Sequence, residues 1–313
     1  MSTYDLFPGF ESHWLDTSVG QIFARSGGSG PPLLLVHGFP QTHVEWHRIA
    51  PELAKHFTLV LPDLPGYGWS TAPRGGTDHF PYAKSDMAKV MIEVMSALGH
   101  ARFMACGHDR GARVTYRLAL DHPGRLERLA LLDIVPTVVM WERIRAAPSP
   151  KTEHWIFLSG PDGVPEAEIG RNPTAYLEEK LSLWTKTGTL DAYDNRALQH
   201  YRDFFNDPSR IHACCEDYRA GATVDLVADE TDRTAGRTIA EPVHVVWGDA
   251  GIPSAGASPL EAWKVFAPKA TGEAGRSFHP RGKSGGMPRG PAALPQGDHA
   301  RLRRARPLGR RDA

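Results

Sequence analysis

Hydrophobic and polar positions follow two different regimes along this chain. Short, continuous apolar runs bounded by turn residues fall at 33–36, 57–61, 103–106, 129–134 and 243–247. Runs of this length predict strands buried on both faces. Between them, 82–98 and the stretch that begins at 114–120 carry apolar residues at helical spacing. Strands alternating with helices predict a parallel sheet joined by right-handed crossovers. The regime changes after Pro136. Up to about Ala240 the chain is helical in character, rich in Trp, Tyr and His, and free of strand runs. The pattern therefore predicts an α/β core at 1–137 and 241–274, a helical cap at 138–240, and an atypical tail at 275–313. The tail is Arg, Gly and Pro with no hydrophobic period, and no core helix can be built from it.

Three turns at strand ends carry the candidate chemistry. His37-Gly38-Phe39-Pro40 closes the first strand and Asp63-Leu64-Pro65-Gly66-Tyr67-Gly68 closes the second. Gly107-His108-Asp109-Arg110-Gly111 lies between the third strand and a helix, in the pattern G-x-D-x-G. Glycines on both sides of a nucleophile permit a sharp turn that lifts it above the sheet. A carboxylate needs no base to deprotonate it at neutral pH, and it can attack carbon directly to form an ester. Taken alone, the pattern equally describes an aspartate that N-caps the following helix. The two companion turns resemble those that α/β-hydrolases carry at these strand ends, and that resemblance implies a nucleophile. Arg110 and Arg113 are three residues apart, so on an opening helical turn they face one way. Two guanidiniums can hold a carboxylate by bidentate hydrogen bonds; the bland alternative is a pair of surface salt bridges.

Charge changes the picture only locally. The chain has 313 residues with 36 basic and 36 acidic side chains. Nine Arg and Lys283 fall in 275–313 against Asp298 and Asp312, which leaves an acidic body of 26 basic and 34 acidic residues. A balanced total argues against a general nucleic-acid binder. Three cysteines, Cys106, Cys214 and Cys215, without paired spacing suggest a reducing compartment. The start of the chain does not read as a signal peptide and no apolar run is long enough to span a membrane. The expected location is cytoplasmic.

The matching strings are HGFPQ at 37–41, DLPGYGWS at 63–70, GHDRGARV at 107–114 and LDIVPT at 132–137, together with His154-Trp155 and the run from Ile211 through Asp217-Tyr218-Arg219 to Thr223. On these, over about residues 8–263, the sequence resembles the fluoroacetate (haloacetate) dehalogenases of the α/β-hydrolase family. The first two strings are shared with epoxide hydrolases and haloalkane dehalogenases. GHDRGAR is more specific, because those relatives usually carry Trp directly after the aspartate. The resemblance implies an α/β-hydrolase fold with a mostly parallel sheet and an inserted helical cap. It makes Asp109 the nucleophile, Asp133 the acid that orients a catalytic histidine, and His154, Trp155 and Tyr218 the halide pocket. Arg110 and Arg113 bind the substrate carboxylate, and the backbone N–H groups of Phe39 and Arg110 form the oxyanion hole. No metal or organic cofactor is implied. The expected partner is a small haloacid, with no nucleic acid or membrane, and relatives suggest a homodimer. The rivals are an epoxide hydrolase and a catalytically impaired relative.

One departure stands out. The family writes its late histidine as Gly-His-Phe, and no such string follows Trp247. His279 lies at about the expected distance but follows Phe278 and precedes Pro280; His299 is a weaker candidate. The run from Gly275 to Ser284 can be encoded by GGC CGG TCA TTT CAT CCC CGA GGA AAA TCC. Read one base later, the same bases give Ala-Gly-His-Phe-Ile-Pro-Glu-Glu-Asn. A reading-frame change near Gly275 would account for both the missing motif and the basic tail; the alternative is a genuinely divergent basic tail.

Overall fold

The structure is a computed structural model and describes residues 5–249, 251–254 and 258–275. Eight strands form one sheet in the order β1-β2-β4-β3-β5-β6-β7-β8. They are β1 (Glu11–Thr17), β2 (Gly20–Gly28), β3 (Pro32–Val36), β4 (Thr58–Pro62), β5 (Phe103–His108), β6 (Leu126–Leu132), β7 (Val243–Gly248) and β8 (Thr271–Gly275). The β1-β2 hairpin and the β2-β4 pairing are antiparallel; every other pairing is parallel. Leu33–Val36 and Leu59–Leu61 are buried, as central strands covered on both faces must be.

The five apolar runs correspond to β3, β4, β5, β6 and β7. Three strands carry no such run. β1 is mostly exposed, β2 ends in Ser26-Gly27-Gly28, and β8 reads Thr-Gly-Glu-Ala-Gly. β1 and β8 are the outermost strands of the sheet and β2 lies next to one edge, where the pattern of full burial fades.

Helix α1 (Ala50–Leu53) precedes β4, α2 (Lys84–Ala97) crosses to β5, and α3 (Asp109–Asp121) crosses to β6. Between β6 and β7 the described chain is helical: α4 (Thr137–Ala146), α5 (Glu153–Leu158), α6 (Val164–Gly170), α7 (Pro173–Leu183), α8 (Asn195–Phe205), α9 (Pro208–Ala222) and α10 (Val224–Thr234). A short α11 (Pro259–Trp263) lies between β7 and β8. Among the described residues no helix is long and apolar enough to cross a membrane.

Candidate active site

The sheet delivers its chemistry at the carboxyl ends of β3, β5, β6 and β7, where open α/β sheets bind ligands. Asp109 directly follows β5 with φ 46°, and Asp133 directly follows β6 with φ 57°. A left-handed backbone at a non-glycine residue costs of order 1–3 kcal/mol and persists where the surroundings enforce it. Here the flanking glycines allow it. A Cβ on Gly38 would stand 2.6 Å from the Asp109 Cβ, and one on Gly111 would stand 2.3 Å from the His37 carbonyl oxygen. The loop after β3 and the start of α3 therefore touch backbone to backbone. That contact aims the Phe39 N–H at Asp109 Oδ1, at 3.0 Å.

Asp133 accepts from the Gly248 N–H at 3.1 Å. Burial raises its pKa, with the charge of His108 opposing. A Cβ on Gly251 would stand 2.6 Å from Asp133 Oδ1, so the loop after β7 also closes on this carboxylate. Asp109 and Asp133 share one cavity of about 70 Å³ with Phe39, His108, Lys151, His154 and Tyr218. Gln41, Leu181, Trp184, Tyr193, Gly251 and Ile252 complete its wall. Drug-sized pockets run to roughly 300–1,000 Å³, so this one suits a molecule of few heavy atoms.

The cap contributes three aromatic donors. His154 and Trp155 lie on α5 and Tyr218 on α9. Their ring centroids are 6.4 Å (His154 to Trp155), 5.5 Å (His154 to Tyr218) and 5.7 Å (Trp155 to Tyr218) apart. Burial, with help from Lys180 and Arg110, drives the His154 imidazole down to about 3, so it is neutral and keeps one N–H. Burial, then the charge of Asp109, pushes the Tyr218 hydroxyl well above its ordinary value, so it remains a donor.

Arg110 and Arg113 are both buried, and neither borders the open cavity. They sit behind the aromatic cluster. Arg110 lies 4.3 Å from the Tyr218 ring centroid, and Arg113 4.6 Å from that of Trp155. Arg110 gives Nε and Nη2 to Asp217 Oδ1 at 3.0 and 2.5 Å, and Nη2 also to the Asp217 carbonyl at 2.6 Å. Arg113 Nη1 donates to the Val135 carbonyl at 3.2 Å and to Thr137 Oγ1 at 3.0 Å. Among the described residues, Arg110 Nη1 and Arg113 Nε have no hydrogen-bond partner. A buried charged donor without a partner costs more than 1–3 kcal/mol, unless a ligand satisfies it.

Sequence reasoning missed the anchor of this arrangement. Asp217 also binds Lys84 Nζ and accepts from the Tyr67 hydroxyl at 2.7 Å, joining the β4 turn, α2, α3 and α9 in one buried network. Its only local signal is its place beside Tyr218. Among the expected site residues, Asp109, Asp133, His154 and Tyr218 share the cavity, while Trp155, Arg110 and Arg113 form the layer behind it. His279 and the rest of the tail lie outside the described residues. Away from this cavity, Asp162, Glu166 and His212 come close enough to hold a cation, a grouping the sequence spacing did not show. Arg219 already occupies Glu166 there, at 2.7 Å.

A model of the α/β-hydrolase fold matches residues 31–270. The chain belongs to the α/β-hydrolase family. Within it, the chain is 43% identical over 264 residues to a fluoroacetate dehalogenase from Burkholderia sp, covering 84% of this chain and 85% of that protein. It is 31% identical to a soluble epoxide hydrolase from Corynebacterium sp. (strain C12), over 71% of this chain and 75% of that one. A protein from Nostoc sp PCC 7120, solved as an α/β hydrolase, superposes with a TM-score of 0.83 at 45% identity, covering 87% of this chain and 93% of the other.

Proposed function

We propose that this α/β-hydrolase, a hydrolase of carbon–halide bonds, converts haloacetates, fluoroacetate among them, to glycolate and halide through an ester on Asp109. The observation that carries the reading is the pair of unpaired donors, Arg110 Nη1 and Arg113 Nε, buried behind the nucleophile turn. Neither lines the cavity, so a carboxylate beside the carbon under attack has to reach past the Tyr218 and Trp155 rings to satisfy them; a haloalkane or an epoxide has no carboxylate. With the carboxylate held there, Asp109 displaces halide from the adjacent carbon. Neutral His154, Trp155 and Tyr218 offer N–H and O–H donors to the leaving halide. Preorganised donors stabilise charge that develops in the transition state, and fluoride needs this more than chloride. The Phe39 N–H then faces the oxygen on which negative charge grows when water attacks the ester, with the Arg110 N–H as the second donor.

The epoxide reading requires cap tyrosines directed at the epoxide oxygen. Tyr193 and Tyr218 both border the cavity, but the Tyr193 hydroxyl donates to the Leu181 carbonyl at 3.2 Å, which weighs against that chemistry. Incubation with fluoroacetate and with styrene oxide, followed by assays for fluoride and for diol, separates the two. Fluoride without diol supports the proposal; diol without fluoride refutes it. One turnover in heavy-oxygen water should place label first in the Asp109 side chain.

Ester hydrolysis also requires a base for water, which the family resemblance assigns to a late histidine oriented by Asp133. The expected late histidine, with His279 as its candidate, lies outside the described residues, and we read the family motif as out of frame near Gly275. Sequencing the encoding DNA decides this. Bases at Arg276 to Phe278 that cannot spell Gly-His-Phe in another frame end that part of the reading.

A further inference from the structure

Among the ionisable groups of the cavity that the proposed chemistry leaves unused is a histidine. His108 ends β5, immediately before the left-handed turn at Asp109, so the strand fixes where its side chain starts. Its Nδ1 lies 2.7 Å from Glu45 Oε1, an ion-pair contact at an angle short of a hydrogen bond. Glu45 belongs to the short 3-10 turn His43–Trp46 and is fully buried. Its other oxygen accepts from the Gly38 N–H at 3.0 Å. The carboxylate is thus anchored to the loop that also supplies the Phe39 donor. With Nδ1 facing Glu45, Nε2 is the ring nitrogen left for the cavity, which His108 borders together with Asp109 and Asp133. A carboxylate that fixes one nitrogen of an imidazole and leaves the other beside a nucleophile is how hydrolases build a general base.

We propose that His108, oriented by Glu45, removes the proton from the water that hydrolyses the Asp109 ester in this chain. The inference rests on Asp109 being the nucleophile. In the step, water oxygen bonds to the ester Cγ, its proton passes to His108 Nε2, and negative charge appears on the oxygen facing the Phe39 N–H. The bond from Cγ to the glycolate oxygen then breaks, and that oxygen takes the proton back from His108. The water oxygen remains on Asp109, whose carboxyl ionises.

The electrostatic setting suits the role. Burial works against a charged imidazole, but Glu45, then Asp109 and Asp133, outweigh it and lift His108 to about 8. The groups around it are Glu45 from the 3-10 turn, Asp109 from α3, and Asp133 after β6, with Lys151 bordering the same cavity. Behind Glu45, burial keeps His37 neutral. Esterification removes the charge of Asp109, which favours the neutral, basic imidazole when water must be activated. His154, the other cavity histidine among the described residues, is too weak a base at about 3.

The test uses the full chain, pulsed with chloroacetate and quenched over about pH 6 to 10, with intact-mass measurement of the Asp109 adduct. Adduct decay should rise with pH to a plateau, with its midpoint at or somewhat below 8. His108→Gln should accumulate the adduct and slow its decay at least about a hundredfold, the usual contribution of a general base. Glu45 is a positioning residue, so Glu45→Gln should move the midpoint downward as well as slow decay; a merely structural ion pair would not move it. That second variant keeps the test decisive if His108→Gln fails to fold. Decay retained in His108→Gln but abolished by His279→Gln overturns the inference, as does a wild-type adduct stable at every pH. If the wild-type chain forms no adduct at all, the nucleophile reading fails first and the role of His108 falls with it.

Discussion

Replacing Asp217 by Asn tests whether one buried carboxylate holds the site together. Asn keeps the shape and one acceptor oxygen but removes the charge. Arg110, Lys84 and Asp217 are each no more than 2% exposed, so water cannot compensate. After the substitution the carboxylate left to the two cations among the described residues is Asp225, 3.3 Å from Lys84 Nζ, beside the carbonyls of Asp217 and Tyr82. Breaking a buried pair by removing one partner costs about 3–5 kcal/mol. One kcal/mol shifts Tm by roughly 2–4 °C in chains of 150–250 residues and less in longer ones. The expected fall is therefore about 6–10 °C, read by circular dichroism during heating. The pH dependence has a definite sign. Burial alone would raise the Asp217 pKa, but Arg110 and Lys84 hold it well below the usual carboxylate range. A group with a depressed folded-state pKa contributes stability above its unfolded pKa of about 3.9 and loses it as pH falls toward the folded value. The difference in Tm between wild type and Asp217→Asn should stay constant from about pH 8 to 5 and narrow below about pH 4. A drop of under about 1 kcal/mol, the scale of a surface ion pair, or a gap that widens on acidification, would refute the reasoning.

Arg113→Lys keeps the charge but loses the planar fork and the unpaired Nε. A hydrogen bond to a charged group is worth about 1.5–3 kcal/mol, so KM for fluoroacetate should rise roughly ten- to hundredfold; an unchanged KM would place the substrate elsewhere. His154→Phe preserves ring volume and the near-parallel packing on Phe39 (6.4 Å, 6°) but removes the donor. It should slow fluoride release from fluoroacetate far more than bromide release from bromoacetate, and equal slowing would remove His154 from the halide pocket. Burial pushes Cys106 up to about 12 and raises Cys214 and Cys215 further. A disulfide reagent should therefore leave Cys214 and Cys215 nearly unlabelled in native protein at neutral pH, react slowly with the half-buried Cys106, and titrate three thiols after denaturation; fast native labelling of Cys214 or Cys215 would contradict their burial.

The apolar runs and the tight turn at Asp109 were legible because each is a local property. Val36-His37-Gly38 and Cys106-Gly107-His108-Asp109 carry their geometry in adjacent letters, and glycine is the residue a close backbone contact demands. The hairpin β1-β2 and strand β8 were not legible, since an edge of the sheet buries too little to leave a pattern. The buried charges were illegible for a different reason. Glu45, Lys84, Arg110 and Asp217 look like solvated residues in a one-dimensional reading, and their partners lie 133 positions apart (Lys84 with Asp217) or 107 (Arg110 with Asp217). Only folding reveals that they pay their desolvation cost to one another.

That balance bears on the proposed chemistry. Beside the nucleophile, the buried cations Arg110, Arg113 and Lys84 are matched by the buried Asp217 and Asp225 and the half-buried Asp109, while His108 and Lys151 are matched in number by Glu45 and Asp133. A haloacetate carboxylate entering this set adds one negative charge to a site with little water to screen it. Ester formation removes the charge of Asp109 and transfers it to the departing halide. The surrounding balance is restored when the halide leaves, with the substrate carboxylate in the place of the nucleophile's. A neutral substrate would instead leave the cations in excess once Asp109 is esterified. The electrostatics thus favour attack on a carbon that bears its own carboxylate, independently of any hydrogen bond to it. Chloroacetamide, matched to chloroacetate in size but uncharged, measures the effect: it should esterify Asp109 at least about tenfold more slowly, which corresponds to 1.4 kcal/mol. Equal rates for the two would show that the charges around Asp109 serve the fold alone.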